Sequence, residues 1–323
     1  MLCTGSNHLC NHTVVFQGLN SISEDMLLNI LEANFKSFFD WAFLNLGAWF
    51  DAEINEYTIN SSTVQQSQLF PVVDESYADG QVWQGIRKDW VYETGCNPSN
   101  SPISITQLTV DGTAMPYPGG GFSVNYPDGR VVFDSPVGVG STVLMEYSYR
   151  NIQVYRASDA PWFSEIQYNT YDNSNLDILR MEDGNWSIGG NQRVQLPAIV
   201  IDPISRSNST PYQIGSRELV VSQDIGFYVL AETKNERNKL LDILRLQQGV
   251  TINLYDTNSV SQAEVYPLTP GLDKNPNGLM YPDLVEQFPY KKCYLKNINL
   301  YEIESIKSNF HQGLVRANVE IIA

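Results

Sequence analysis

With 323 residues, of which 42% are apolar and 11% aromatic, the chain can bury about three quarters of its unfolded surface in one large core or two ordinary ones, which excludes a disordered adaptor. Charged residues make up only 17%, below the roughly 25% of an average domain, so the surface leans on neutral polar groups. Acidic residues number 36 against 20 basic ones, a formal charge of -16 that repels phosphate backbones and anionic membranes and argues against sequence-specific nucleic-acid binding.

Residues 1–20 form an N-terminal arm of distinct composition. Its start, MLCTGSNHLCNH, has neither a basic n-region nor a long apolar h-region, so no secretory signal is visible. Sites such as Asn60 and Asn208 then carry no glycosylation meaning. Four cysteines, Cys3, Cys10, Cys96 and Cys293, are too few and too scattered for a disulfide framework and read as free thiols in a reducing compartment. Met26 offers an alternative start, so membership of residues 1–25 in the functional product stays open. Within the arm, Cys3, His8, Cys10 and His12 place four metal-ligand types within ten residues, three of them on one face if the chain is extended. The cluster lacks the second ligand pair of a structural zinc site, and an arm packed on a neighbour competes with metal binding.

The spacing predicts an amphipathic helix over 21–47, with Ser21 and Glu24 as a capping box and Gly47 as its stop. Asn29, Glu32, Lys36 and Asp40 form one polar stripe with i,i+4 pairing. A helix buried in protein over most of its circumference fits this pattern better than a membrane span.

Residues 48–157 change to a period of two. The segments 103–110, 122–126, 130–134 and 141–150, punctuated by turn residues, predict an antiparallel meander forming a sandwich or barrel-like domain. Its most secure hairpin is 122–134, turned by Pro127, Asp128 and Gly129. Residues 158–190 are rich in Asn, Asp, Gly and aromatics with weak periodicity, and read as an aromatic loop or linker.

Residues 191–323 predict a C-terminal α+β domain with one helix on a mostly antiparallel sheet. Strands are expected at 195–202 and 225–233. A helix capped by Thr233 and Glu236, buried through Leu240, Leu241, Ile243 and Leu244 and ended by Gly249, leads to a strand at 250–256. Strands at 293–303 and 313–322 close the chain, the last half-exposed and available at an edge for pairing with a neighbour. The fold class is therefore β-rich α+β.

Several residue groups invite chemistry. Asp273, Asn275, Asn277 and Gly278 match the opening of a calcium loop, but the twelfth place is Leu284, Pro276 intrudes and no helix pair flanks it, so an ordinary Asn/Gly/Pro loop accounts for them as well. Asp172, Asp177, Glu182 and Asp183 beside Trp162, Tyr168, Tyr171 and Trp186 supply the carboxylates and aromatics of a glycosidase, without a readable separation. His311 has no nucleophile context and reads as a surface loop residue. No dinucleotide, P-loop, zincin, nucleophile-elbow or CxxC motif occurs, so no catalytic residue and no cofactor is expected.

The blocks FFDWAFLNLGAWFD, SYADGQVWQGIRKDWVYETG and FSVNYPDGRVVFDSPVGVGSTVLMEYSYRNIQVY resemble the aromatic, turn-rich opening of tailed-bacteriophage virion proteins, especially those of contractile tails. QLPAIVID, IGFYVLAETKNERNKLLDILRLQQGVTINLYD and the closing strand pair are similar in order to the neck or tail-terminator fold over residues 190–323. Terminators of simple tails are much shorter, which makes 48–155 an added domain. The resemblance implies a non-enzymatic subunit of the virion, assembled in the host bacterial cytoplasm without a membrane. It also implies a homohexameric ring that caps tail tube and sheath and joins them to neck proteins. Genomic DNA would pass through without specific binding, as an acidic surface permits.

A baseplate or collar protein is the alternative within that class. A secreted glycan-binding or glycan-cleaving β-protein, motivated by Trp83, Trp90, Trp162 and Trp186, is the alternative outside it. Expected interface segments are His8 to Val15, the loop 158–190 and the loop 267–290.

Overall fold

The computed structural model describes residues 27–53, 56–59, 62–169, 178–181, 184–189, 192–213 and 219–322. Helix α1 (Leu27–Asn45) turns Ile30, Leu31, Phe35, Phe39, Phe43 and Leu44 inward. It stops as its sequence requires. The Ala48 N–H donates to the Phe43 carbonyl (3.0 Å) and the Gly47 N–H to the Leu44 carbonyl (2.9 Å), with Gly47 at φ 85°, the six-to-one and five-to-two pattern that only a residue at ease in the left-handed region closes. The Ser21–Glu24 capping box lies outside the described residues. The stripe of Glu32, Lys36 and Asp40 is not a solvated face. Glu32 and Asp40 are buried, and both Asp40 oxygens accept from Arg150, because α1 is wedged between two cores and its polar side meets the second one.

That second unit is built from β1 (Trp49–Ala52), β2 (Glu56–Ile59), β3 (Ser62–Gln65), β4 (Gln68–Val72), β5 (Val82–Gln84), β6 (Gln107–Val110), β7 (Thr113–Pro116), β8 (Phe122–Asn125), β9 (Arg130–Phe133), β10 (Val143–Leu144) and β11 (Tyr147–Arg150). Seven of them form one sheet in the order β7-β6-β10-β4-β5-β9-β8, while β1 pairs with β11 and β2 with β3. The hairpin β8–β9 forms as predicted, with Gly129 at φ 62° in its turn. The expected meander is corrected: β10 inserts between β6 and β4, and β5 pairs with β9. Two-residue alternation fixes which side chains face inward and leaves the choice of partner to distant contacts. Trp83, Trp90, Val124, Val131, Phe133 and Tyr147 make its core.

β12 (Gln153–Arg156) then enters a different sheet. The stretch 158–190, predicted as loop or linker, carries α2 (Pro161–Asn169), β13 (Ile178–Arg180) and β14 (Trp186–Ile188), and β15 (Gln192–Val194) follows. These elements are too short to show a period. Their Trp162, Phe163, Ile166 and Trp186 pack on Ala198, Val200, Leu230 and Phe310.

Four long strands dominate the rest: β16 (Ala198–Pro211), β17 (Leu219–Ala231), and, after α3 (Lys234–Arg245), β18 (Thr251–Tyr255), α4 (Thr257–Gln262) and α5 (Tyr281–Gln287), β19 (Pro289–Lys307) and β20 (Phe310–Ile322). The sheet order is β12-β16-β17-β20-β19-β18, antiparallel except for β12 beside β16. Thr233 caps α3 as predicted, accepting from the Glu236 N–H (3.2 Å). Leu240, Leu241 and Leu244 of α3 and Leu31, Phe35, Phe39 and Phe43 of α1 cover one sheet face. The C-terminal core therefore draws a second helix from the start of the chain. The fold is β-rich α+β.

Two expectations about the last strands are corrected. β20 is not an edge strand but lies between β17 and β19, because the long hairpin β19–β20 places the later strand inward. His311 is not a surface loop residue. It is buried in β20 opposite Ala231 and Ser305, and burial together with the nearby cations Arg237 and Lys234 lowers its pKa. No helix among the described residues is long and apolar enough to cross a membrane.

Candidate functional site

Two features stand out once the fold is in place: a buried ionic joint between the units, and two sheet edges that have a strand on one side only among the described residues.

The joint centres on Arg150 at the end of β11. Its Nε and Nη2 donate to Asp40 of α1 at 2.8 and 3.1 Å, its Nη2 also to Glu93, and its Nη1 to the Trp90 carbonyl at 2.7 Å. The guanidinium stacks on Tyr92 at 4.9 Å. One cation thus faces two carboxylates away from water. Burial works against the Arg150 charge, but Asp40 and Glu93 outweigh it and hold its pKa above the ordinary value. Burial raises Glu93, with Arg150 opposing. A cleft of about 480 Å³ opens beside the joint, walled by Trp41, Tyr92, Tyr255 and Tyr281 with Lys36 and Asp40 among its polar lining. Both Asp40 oxygens already accept from Arg150, so the joint braces the cleft.

Further bonds bolt the units together. Arg193 Nη2 donates to the Gly85 carbonyl (2.7 Å), Asn185 Nδ2 to the Ile86 carbonyl (2.7 Å) and Arg87 Nη1 to the Gly184 carbonyl (3.0 Å). The loop 267–290, expected as an interface, wraps its own chain: Tyr117 donates to Asp273, and the Tyr126 N–H donates to the Leu272 carbonyl (3.3 Å).

The residues singled out in the sequence fall apart from one another. Cys3, His8, Cys10 and His12 lie outside the described residues, as do His8 to Val15 and Asp172, Asp177, Glu182 and Asp183. Asp273, Asn275 and Asn277 do share a turn. There Asn275 Nδ2 donates to the Glu264 and Tyr266 carbonyls (2.9 and 2.8 Å) and its Oδ1 accepts from the Asn277 N–H (3.0 Å), so its oxygen and nitrogen fasten the loop. Among the described residues no group of three or more His, Cys, Asp or Glu is placed to hold a metal ion. Trp83, Trp90, Trp162 and Trp186, offered as an exposed aromatic surface, are all buried core residues. Cys96 and Cys293 are buried free thiols, and burial pushes them up to about 11 and about 12.

The edges arise from unequal strand lengths. β12 pairs with β16 only over Ala198–Ile201, so among the described residues β16 from Asp202 to Pro211 has a partner strand on one side alone. β18 pairs with β19 only up to Tyr294. Leu295 still exchanges bonds with Gly249 and Val250, and Gln248 accepts from the Ile298 N–H, but among the described residues Asn299 to Lys307 pair with β20 alone. The remaining edge, β18, is closed by α1: Asn34 accepts from the Tyr255 N–H (2.8 Å) and donates to its carbonyl (3.0 Å).

Prolines and bulges usually blunt such edges. In β16 the devices sit at the margins, with Pro203 and the register shift before Ser207 on one side and Pro211 on the other. Ser207, Asn208, Ser209 and Thr210 remain regular, uncharged and exposed. The facing stretch of β19, Asn299 to Tyr301, is also uncharged and exposed. β16 and β19 run in opposite directions, because three antiparallel pairings separate them. Neither the Arg150 joint nor the free edges were visible in the sequence; the only available signal was the length of the strand pattern beyond any neighbour.

Comparison of the chain with protein-family models and with curated proteins gives no match. The fold class, a β-rich α+β protein with a partly open antiparallel sheet, is what the coordinates define.

Proposed function

We propose that the protein is a structural subunit of a tailed-phage virion that forms a ring at the neck or tail end, caps the tail tube and sheath, and joins them to neck proteins while the genome passes through. The observation that carries this reading is the pair of oppositely directed edges on β16 and β19, each free on one side among the described residues and each holding an uncharged run, Ser207 to Thr210 and Asn299 to Tyr301. Set head to tail, β19 of one copy meets β16 of the next in antiparallel sense, and the sheet continues without a break. A heterologous contact of this kind closes into a ring when its rotation allows. Each free length is the C-terminal part of its strand, so the two lie at opposite ends of the sheet and the joined strands tilt, as in any closed sheet.

Six copies contributing four strands each, at about 4.8 Å spacing, give a circumference of ~115 Å and a diameter of ~37 Å between strand centres, before tilt widens it. The net charge of -16 disfavours phosphate binding by the assembled ring.

Sedimentation across micromolar concentrations, with hydrogen exchange read at each, tests the assembly. The expected result is a ring whose formation slows exchange at 204–210 and 299–307. A monodisperse monomer, or a ring that leaves those amides unprotected, overturns it. Particles assembled without the protein test its place: overlong or headless tails fit the terminator role, and missing baseplates move it to the baseplate.

A further inference from the structure

The face of the long sheet opposite α1 and α3 is only half covered. Its other half is a bowl of about 420 Å³ whose lining comes from all four long strands: Asn208 of β16, Ser222 and Asp224 of β17, Arg316 and Asn318 of β20, and Asn297, Asn299 and Tyr301 of β19. At the centre the polar groups satisfy one another. Arg316 donates to Asp224 Oδ2 from Nε (3.1 Å) and Nη2 (2.5 Å), and Asn318 Nδ2 donates to Asp224 Oδ1 (2.8 Å) and the Ser222 hydroxyl (2.9 Å). At the rim they do not. The exposed carboxamides of Asn208, Asn297 and Asn299 make no hydrogen bond with the described residues, and the Tyr301 ring, 66% exposed, carries the Arg316 guanidinium 5.8 Å from its centroid.

We infer that this bowl binds a neutral carbohydrate. A carboxamide presents two donors and two acceptor sites side by side, which is the complement of a sugar's vicinal hydroxyls, each donor and acceptor at once. Asp224 and Arg316 cancel in charge, so the bowl offers a charged ligand no net attraction while keeping polar atoms in fixed positions. Tyr301 adds an apolar ring against which the C–H face of a pyranose lies. The volume lies within the range of small-molecule sites. All the groups stand on regular strands, which hold them more rigidly than loops do. Adding copies through the strand edges uses backbone groups and does not consume the side chains that line the bowl. The bowl also differs from the tryptophan surface expected from sequence, since none of those indoles is exposed.

The test uses the full chain on an array of neutral oligosaccharides, with sulfated and sialylated glycans as the charged comparison. The expected result is binding to a neutral member that weakens about tenfold in Asn299→Ala and in Asn208→Asp, the scale of one lost hydrogen bond. Tyr301→Ala should weaken it by a similar factor. Thermal midpoints of the variants, all at exposed positions, should match the parent, and sedimentation of the same samples reads assembly separately. Absence of binding to every neutral glycan, preference for the charged ones, or binding unchanged in all three variants overturns the inference.

Discussion

Replacing Arg150 with methionine removes the cation that pairs with Asp40 and Glu93 and keeps most of the side chain's length. The Arg150 side chain is 7% exposed and its partners 10% and 7%, so little solvent screening discounts the effect. Breaking a buried pair by removing one partner costs about 3–5 kcal/mol, because the remaining charge has neither water nor a counter-ion. Against a total of roughly 5–15 kcal/mol that is a large fraction of the stability. The assay is urea unfolding followed by tryptophan fluorescence, with Trp90 in the core beside the joint, at pH 7 and at pH 5. The sign of the pH effect follows from Glu93, whose pKa burial already raises in the folded chain. A carboxyl raised on folding adds stability below its unfolded value and loses it as pH rises through its folded one. Without Arg150 that elevation grows, so the deficit of Arg150→Met should shrink between pH 7 and pH 5. Adding Asp40→Asn should recover part of it at pH 7 by removing one orphaned charge. A deficit under about 1 kcal/mol, the range of an exposed pair, or a double variant no better than the single one, refutes the reasoning.

Asn34→Ala should cost about 2–3 kcal/mol in urea unfolding and speed hydrogen exchange at Tyr255, since one side chain satisfies both backbone groups of that edge residue. An unchanged Tyr255 amide would show that water replaces it. Gly129→Ala should lower the thermal midpoint by an amount equivalent to at least ~2 kcal/mol, because the residue sits at φ 62° and an added Cβ falls 2.5 Å from the Arg87 carbonyl oxygen. A midpoint equal to the parent's would mean that the turn can rearrange.

Local rules carried the reading of the sequence a long way, and its failures have a common cause. Gly47, the Thr233–Glu236 cap and the β8–β9 turn are set within six residues of chain, and each forms as expected. Val315, Ala317, Val319 and Ile321 alternate with polar residues in the sequence, and they form the buried side of β20. What the pattern did not contain was the partner. β20 reads the same whether central or at an edge, and Asp40 reads the same whether paired with Lys36 four residues away or with Arg150 at a sequence distance of 110. Trp162 and Trp186 mark a loop by composition and a core by contact. The carboxamides of Asn208, Asn297 and Asn299 gain meaning only when register brings distant strands abreast.

The ionic joint and the open edges belong to one design. A sheet that grows by adding copies must not bend where the copies meet, or the offset between neighbours would wander and the ring would fail to close. Here the sheet is stiffened on one face by α1 and α3 and on part of the other by α2 and the small sheet β13–β15. The seven-stranded unit is fixed to it through Arg150, Arg193 and Asn185. Charge is placed to match: the ion pairs of the joint lie inside, and each free edge holds an uncharged run, Ser207 to Thr210 in β16 and Asn299 to Tyr301 in β19. Contacts confined to those runs need no desolvation of charged groups, whereas the net charge of -16 disfavours other approaches of one copy to another. In the proposed ring, growth is thereby directed to the two edges that can continue the sheet.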